Sequence, residues 1–231
     1  MTVVVGMDTA TADLAVAAVV DGEPIAERLV APPPGGRPRH ATDLLPELEK
    51  AAHSAGGWKR VDLIAVGVGP GSFTGLRIGV ATARALAQAL DLPVAPVSTL
   101  AALARGIGAD GERGDRRLLA VVDARRREAF AALHGPDGTL IWPPLVAPPE
   151  ELAERVTRLA EPPLAAGDGA LRFRRELEAA GAEVLAGDER AHRVSARHIC
   201  LLAHDPAPLE SIEPVYLRRP DAELWRERDK D

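Results

Sequence analysis

The chain has 231 residues, 46% apolar and 27% charged, which is enough to bury two cores of about 100 residues each and too apolar for a disordered chain. Aromatic residues make up 3% and the net charge is −6, which excludes a row of base-stacking platforms and a protein that grips nucleic acid unaided. Cys200 is the single cysteine, so a disulfide framework and a cysteine-rich zinc site are excluded. The longest apolar run, Leu14 to Val20, is too short for a bilayer, and no leader-like segment opens the chain, so a soluble cytoplasmic protein is expected.

Val3–Val5 and Leu14–Val20 are β-branched runs around the polar stretch Asp8 to Asp13, the pattern of a hairpin with a polar tip. Asp21-Gly22 turns the chain into a third strand from Pro24 to Val30, and Pro32 to Gly36 breaks the pattern. Leu44, Leu45, Leu48, Ala51 and Ala52 then fall at helical spacing up to Gly56-Gly57. A strand over Leu63–Val68, a glycine-rich loop, a helix over Thr74–Leu90 and a strand over Pro93–Val97 follow, with Ser98 or Thr99 capping a third helix.

The second half repeats this order. Strands are expected over Leu118–Val122, Glu128–Leu133 and Leu140–Val146, then a helix over Glu150–Leu159 and a strand at Leu164–Ala166. A helix over Leu171–Ala180, a strand at Glu183–Leu185 and a helix over Ser195–Ala203 complete it. Each half reads βββαβαβα, which predicts an α/β protein of two mixed sheets with packed helices. The glycine-rich, charged stretch Gly106–Arg117 divides residues 1–105 from 106–231.

Three local signals carry chemistry. In Gly67-Val-Gly-Pro-Gly-Ser-Phe-Thr-Gly-Leu-Arg-Ile-Gly79, glycines 69 and 71 permit unusual backbone, and the helix start offers N–H donors to an anion. The same residues also serve a plain strand-to-helix turn capped by Ser72 or Thr74. Asp8, with Thr9 and Thr11, marks the first hairpin tip, and two such tips facing one another would hold phosphate and its metal ion; an ordinary Asx turn is the alternative. In the helix Thr74–Leu90, Gly75, Gly79, Ala83 and Ala87 form a small-residue stripe open to a close neighbour, either a partner or the domain's own sheet. No histidine pair has the i,i+4 helical spacing of a zinc site, and Arg125–Arg127 and Arg172–Arg175 read as solvated basic clusters.

Met7-Asp-Thr-Ala-Thr11, His40…Leu44-Leu-Pro46, Gly69 through Gly79, Pro96 through Leu100, Asp123-Ala-Arg125 and Pro214-Val-Tyr-Leu-Arg218 together resemble the bacterial TsaB (YeaZ) family, in order over residues 3 to 218. That resemblance implies a duplicated actin-like (RNase H-like) fold. It also implies a non-catalytic dimerisation subunit for the transferase that places threonylcarbamoyl on N6 of the adenosine beside the tRNA anticodon. The partners implied are that catalytic subunit and an associated ATPase subunit, with tRNA contacted indirectly and a homodimer through the same helices as a further state.

In the family, two N-terminal helices pair with their counterparts on the catalytic subunit. Carried across, these are about Thr42–Ala55 and Thr74–Leu90, with Leu44, Leu45, Leu48, Ala52, Gly75, Ile78, Gly79, Thr82, Ala83 and Leu86 as contact residues. The catalytic relative has a His-x-x-x-His metal site; here His40 is followed four residues on by Leu44, and the first hairpin tip lacks the phosphate-approach glycine. Asp8, Thr9, Thr11, Gly69, Gly71, Ser72 and Thr74 are therefore expected as a vestigial phosphate loop. No resident metal or cofactor is expected, with nucleotide restricted to the joint with the catalytic subunit. Any direct tRNA contact is expected near Arg218, Arg219, Arg226 and Arg228. A free-standing ATP-dependent small-molecule kinase or a metallopeptidase of the same superfamily is the competing reading.

Overall fold

The computed structural model describes residues 1–109, 114–187 and 190–218. The first half runs β1 (Val3–Asp8), β2 (Leu14–Val20), β3 (Glu23–Val30), α1 (His40–Ser54), β4 (Leu63–Gly69), α2 (Phe73–Leu90), β5 (Val94–Ser98) and α3 (Thr99–Gly108). In the second half come β6 (Leu118–Arg125), β7 (Glu128–His134), β8 (Leu140–Ala147), α4 (Pro149–Thr157), β9 (Leu164–Ala166), α5 (Asp168–Arg172), α6 (Arg174–Ala179), β10 (Glu183–Val184) and α7 (Ala196–Leu201). The sheets have the orders β3-β2-β1-β4-β5 and β8-β7-β6-β9-β10, so one topology occurs twice. In each, the first three strands are antiparallel neighbours and the last two run parallel to the first.

Why the halves form one body is visible in the core. The faces of both sheets that look inward, Val4, Ala17 and Ala65 from one and Leu118, Ala120 and Ala132 from the other, share a cluster with α3 and α7. Helix α3 packs against β4 and β5 but also β6, β7 and β9, whereas α7 from the second half packs on β1 and β2. Outer clusters then bury α1 and α2 on the first sheet and α4 to α6 on the second. The cut expected near Arg105 thus falls inside α3, although the sheets themselves divide between Ser98 and Leu118.

One expected helix is broken. A single helix is expected over Leu171–Ala180, but the chain forms α5 and α6 with Phe173 between them at φ −109° and ψ 27°. Phe173 is buried in the outer core of the second lobe, and its carbonyl accepts from the Leu177 amide, so burying the ring outweighs helical continuity. The last helix is also shorter than Ser195–Ala203.

Capping follows the sequence more closely. Ser98 Oγ accepts from the Ala101 amide at 3.3 Å and starts α3 at the centre of the molecule. Ser98→Ala is expected to lower unfolding stability by about 1 kcal/mol in a denaturant titration, with an unchanged transition slope.

Candidate functional site

The tips of the two half-molecule hairpins and the start of α2 surround a cleft of about 800 Å³ between the lobes, a volume suited to a small ligand. Asp8 ends β1 and Asp123 lies near the end of β6, so the pseudo-repeat places them in equivalent positions. Each carboxylate accepts from the amide two residues on, Ala10 at 2.8 Å and Arg125 at 2.9 Å. Both tips are therefore Asx turns.

Their surroundings then diverge. Asp8 is fully buried, and its second oxygen accepts from the Thr99 hydroxyl at 2.7 Å; that hydroxyl accepts in turn from the Gly69 amide at 3.2 Å. Desolvation raises the Asp8 carboxyl to about 6, although the Thr99 and Ala10 hydrogen bonds oppose the shift. Thr9 is buried too, with its hydroxyl donating to the Gly75 carbonyl at 2.7 Å. Asp8 and Thr9 thus weld the first hairpin to α2 and α3, and the expectation that Asp8 faces across to the other tip is corrected. Thr11, Gly71, Ser72 and Thr74 do line the cleft, whereas Gly69 lies behind it. Ser72 Oγ caps α2 by accepting from the Gly75 amide at 3.3 Å, which is the plain strand-to-helix reading of this loop.

The polar centre of the cleft is the second tip. Asp123 receives Arg172 at 2.8 Å and Arg125 at 3.2 Å, and its amide donates to Asp168 at 2.9 Å. Burial raises the Asp168 carboxyl, with the Asp123 amide opposing and the Asp123 charge adding to the shift. Residues 125–127, all arginine, have φ of 62°, 52° and 59°, a left-handed turn that aims Arg125 back at Asp123. Asp168 carries no signal in the sequence, and Arg172, expected as part of a solvated basic cluster, is instead ion-paired to Asp123. Aligning the two halves on their first strands would have found Asp123, but its partners on α5 carry no spacing signal. Arg174, from the same Arg172–Arg175 cluster, bonds Glu178 and the Val184 and Leu185 carbonyls, so it too is engaged within its lobe.

Among the described residues no group of three or more His, Cys, Asp or Glu side chains is arranged to hold a metal ion. His40 is buried, and Nε2 meets the Ala12 carbonyl at 3.3 Å; burial lowers its pKa. It braces the first hairpin.

The small-residue stripe of α2 faces inward. A β-carbon on Gly75 would meet the Thr9 carbonyl oxygen at 2.0 Å, and one on Gly79 would meet Thr9 Oγ1 at 2.4 Å. Both glycines exist so that the hairpin can lie against the helix. Ala83, Leu44, Leu48 and Ala52 are also buried within the lobe. These six residues cannot touch a partner, which corrects the expectation placed on them. Of the residues expected at a partner surface, Leu45 is 54% exposed, while Ile78, Thr82 and Leu86 form a half-buried line along α2. Beside that line Ala81 and Ala85 are exposed, and a groove of about 700 Å³ runs between α2 and Glu213, Pro214 and Tyr216. Arg218 is ion-paired to Glu128 at 2.7 Å; Arg219, Arg226 and Arg228 lie outside the described residues.

Known proteins match this architecture over most of its length. The chain is 34% identical to the tRNA threonylcarbamoyladenosine biosynthesis protein TsaB of Escherichia coli over 72% of its own length and 71% of that protein's. The chain belongs to the TsaB family. The TsaB of Bacillus subtilis is 32% identical over 72% of the chain and 74% of its own length. Residues 31–141 match the family model described as TsaD, tRNA N6-adenosine threonylcarbamoyltransferase. The solved structure of YeaZ from Pseudomonas aeruginosa superposes with a TM-score of 0.75 at 30% identity, covering 94% of this chain and all of that one. A ROK hexokinase from Thermus thermophilus, at 16% identity and a TM-score of 0.50, shares the actin-like fold alone. No helix among the described residues is long and apolar enough to cross a membrane.

Proposed function

We propose that this TsaB-family chain takes part in tRNA threonylcarbamoyladenosine biosynthesis as a non-catalytic subunit that binds the threonylcarbamoyl-transferring subunit through the outer faces of α1 and α2. The observation that carries the non-catalytic reading is Asp8, whose two carboxylate oxygens are spent on Ala10 and Thr99 inside the core. A kinase of this fold would need such a carboxylate at the phosphates, because metal and phosphate charge must be met within a few ångströms. Family membership supports the pathway.

The partner surface rests on the exposed side of α2, where the small residues Ala81 and Ala85 lie beside Arg77, Arg84 and Gln88. Ala81 and Ala85 permit close helix approach, and Leu45 offers an apolar anchor. The catalytic subunit is the natural occupant; a second copy of the chain would use the same face when it is absent. A sedimentation titration tests this. The mixture should form a 1:1 complex with the catalytic subunit, and the isolated chain should show no ATP turnover; steady turnover lost in Asp8→Ala would reverse the assignment.

A further inference from the structure

Residues 212–218 cross from one lobe to the other along the rim of the cleft, and their two ends are held very differently. At the first-lobe end, Ile212 is fully buried in the outer core, and the Val215 amide donates to the Val68 carbonyl at 2.7 Å. Tyr216 packs on Phe73 with ring centroids 5.0 Å apart. Arg77 clamps the pair, lying 3.9 Å over the Phe73 ring and donating from Nε to the Tyr216 hydroxyl at 3.1 Å. This end combines core burial, a backbone hydrogen bond and a cation-capped aromatic pair.

At the second-lobe end there is much less. Leu217 is half-buried against the inter-sheet core, and Arg218 reaches Glu128, the first residue of β7, at 2.7 Å. Those side chains are 28% and 32% exposed, so the pair is open to screening by salt. Val215 and Tyr216 from the first end and Leu217 and Arg218 from the second together form one wall of the cleft.

We propose that residues 212–218 are a strap, anchored on the first lobe by buried Ile212 and the Val215 amide and reversibly latched to the second by Arg218 and Glu128 over the half-buried Leu217, so that release of the latch frees the Leu217–Arg218 part of the cleft wall. The anchor and the latch draw on different forces, which makes them separable. An ionic latch weakens with salt; the buried Ile212 side chain and the backbone hydrogen bond from Val215 to Val68 do not. This is independent of what the cleft or the outer face of α2 binds.

The test places a thiol at the latch in the full chain with Leu217→Cys. Cys200 is buried and desolvation raises its thiol pKa, so it does not compete for a neutral alkylating reagent such as N-ethylmaleimide. Alkylation at position 217 should be slow at low salt and accelerate about fivefold or more in high salt or on adding Glu128→Gln. Exchange of the Val215 amide should stay slow throughout. Exchanging the charges, Glu128→Arg with Arg218→Glu, should restore slow alkylation. Circular dichroism melts confirm that each variant is folded. An alkylation rate indifferent to salt and to Glu128→Gln would overturn the latch. Val215 exchange rising in step with alkylation would overturn the fixed anchor, and failure of the charge exchange to restore protection would overturn the ionic pairing.

Discussion

Ala85→Arg is expected to leave the isolated chain folded and to abolish its binding to the catalytic subunit. Ala85 is exposed on the outer side of α2 and lines the open groove beside Glu213 and Pro214, so arginine has room in the free protein. In the proposed complex the guanidinium would be desolvated without a partner and would hold two helices apart, a loss of several kcal/mol and more than a hundredfold in affinity. Ala83→Glu, two residues earlier, should behave in the opposite way. Ala83 has no exposure, and a carboxylate there would be buried among Val5, Leu48 and other members of the outer core. A cost of about 4 kcal/mol or more is a large part of a typical domain's stability, so that chain should unfold or aggregate. Melting curves alongside a pull-down separate the outcomes. A folded Ala85→Arg that still binds normally would move the interface off this face.

Asp8→Asn should change the pH dependence of stability in a direction opposite to that of an ordinary paired carboxylate. The folded carboxyl titrates at about 6 against 3.8 for the free group, because burial disfavours its charge. The folded state therefore holds a proton that the unfolded chain has released between those values. Wild-type stability gains from this group as pH falls through 6, and the gain is complete below 3.8, amounting to about 3 kcal/mol at about 1.4 kcal/mol per unit. His198 pulls the other way: burial lowers its ring to about 4, so its contribution to stability is lost as pH falls below 6.5. That group is the same in both proteins and cancels in the difference. Denaturant titrations at pH 5 and 7 should show wild type gaining about 1 kcal/mol on Asp8→Asn at the lower pH. No change in the difference would mean that Asp8 is solvated and free to face the cleft.

The order of elements was legible because period-2 and period-3.6 patterns, broken by glycine and proline, repeat across two halves that check each other. Direction was not. Gly75 and Gly79 announce a close neighbour, but a small-residue stripe reads the same whether that neighbour is a partner helix or the Thr9 hairpin. Asp8 likewise announces a turn, and its inward rotation depends on Thr99, ninety-one residues away. The helix expected over Leu171–Ala180 is broken at Phe173, whose ring is buried in the outer core of the second lobe. The cleft's polar centre was missed for the same reason: Asp123, Asp168 and Arg172 meet through the sheet, over separations of 45 and 49 residues. Ser72 and Ser98, which act on neighbours three residues on, were read correctly as candidate caps.

In the proposed role the chain contributes to tRNA modification through a partner and not by chemistry of its own. Its most direct test is reconstitution with purified catalytic and ATPase subunits and unmodified tRNA, measuring threonylcarbamoyladenosine formed with and without this chain. Modification should require the wild-type chain, survive Asp8→Asn, and fall to the level of omission with Ala85→Arg. Full modification with the chain left out, or loss with Asp8→Asn in a folded protein that still binds its partner, would contradict it.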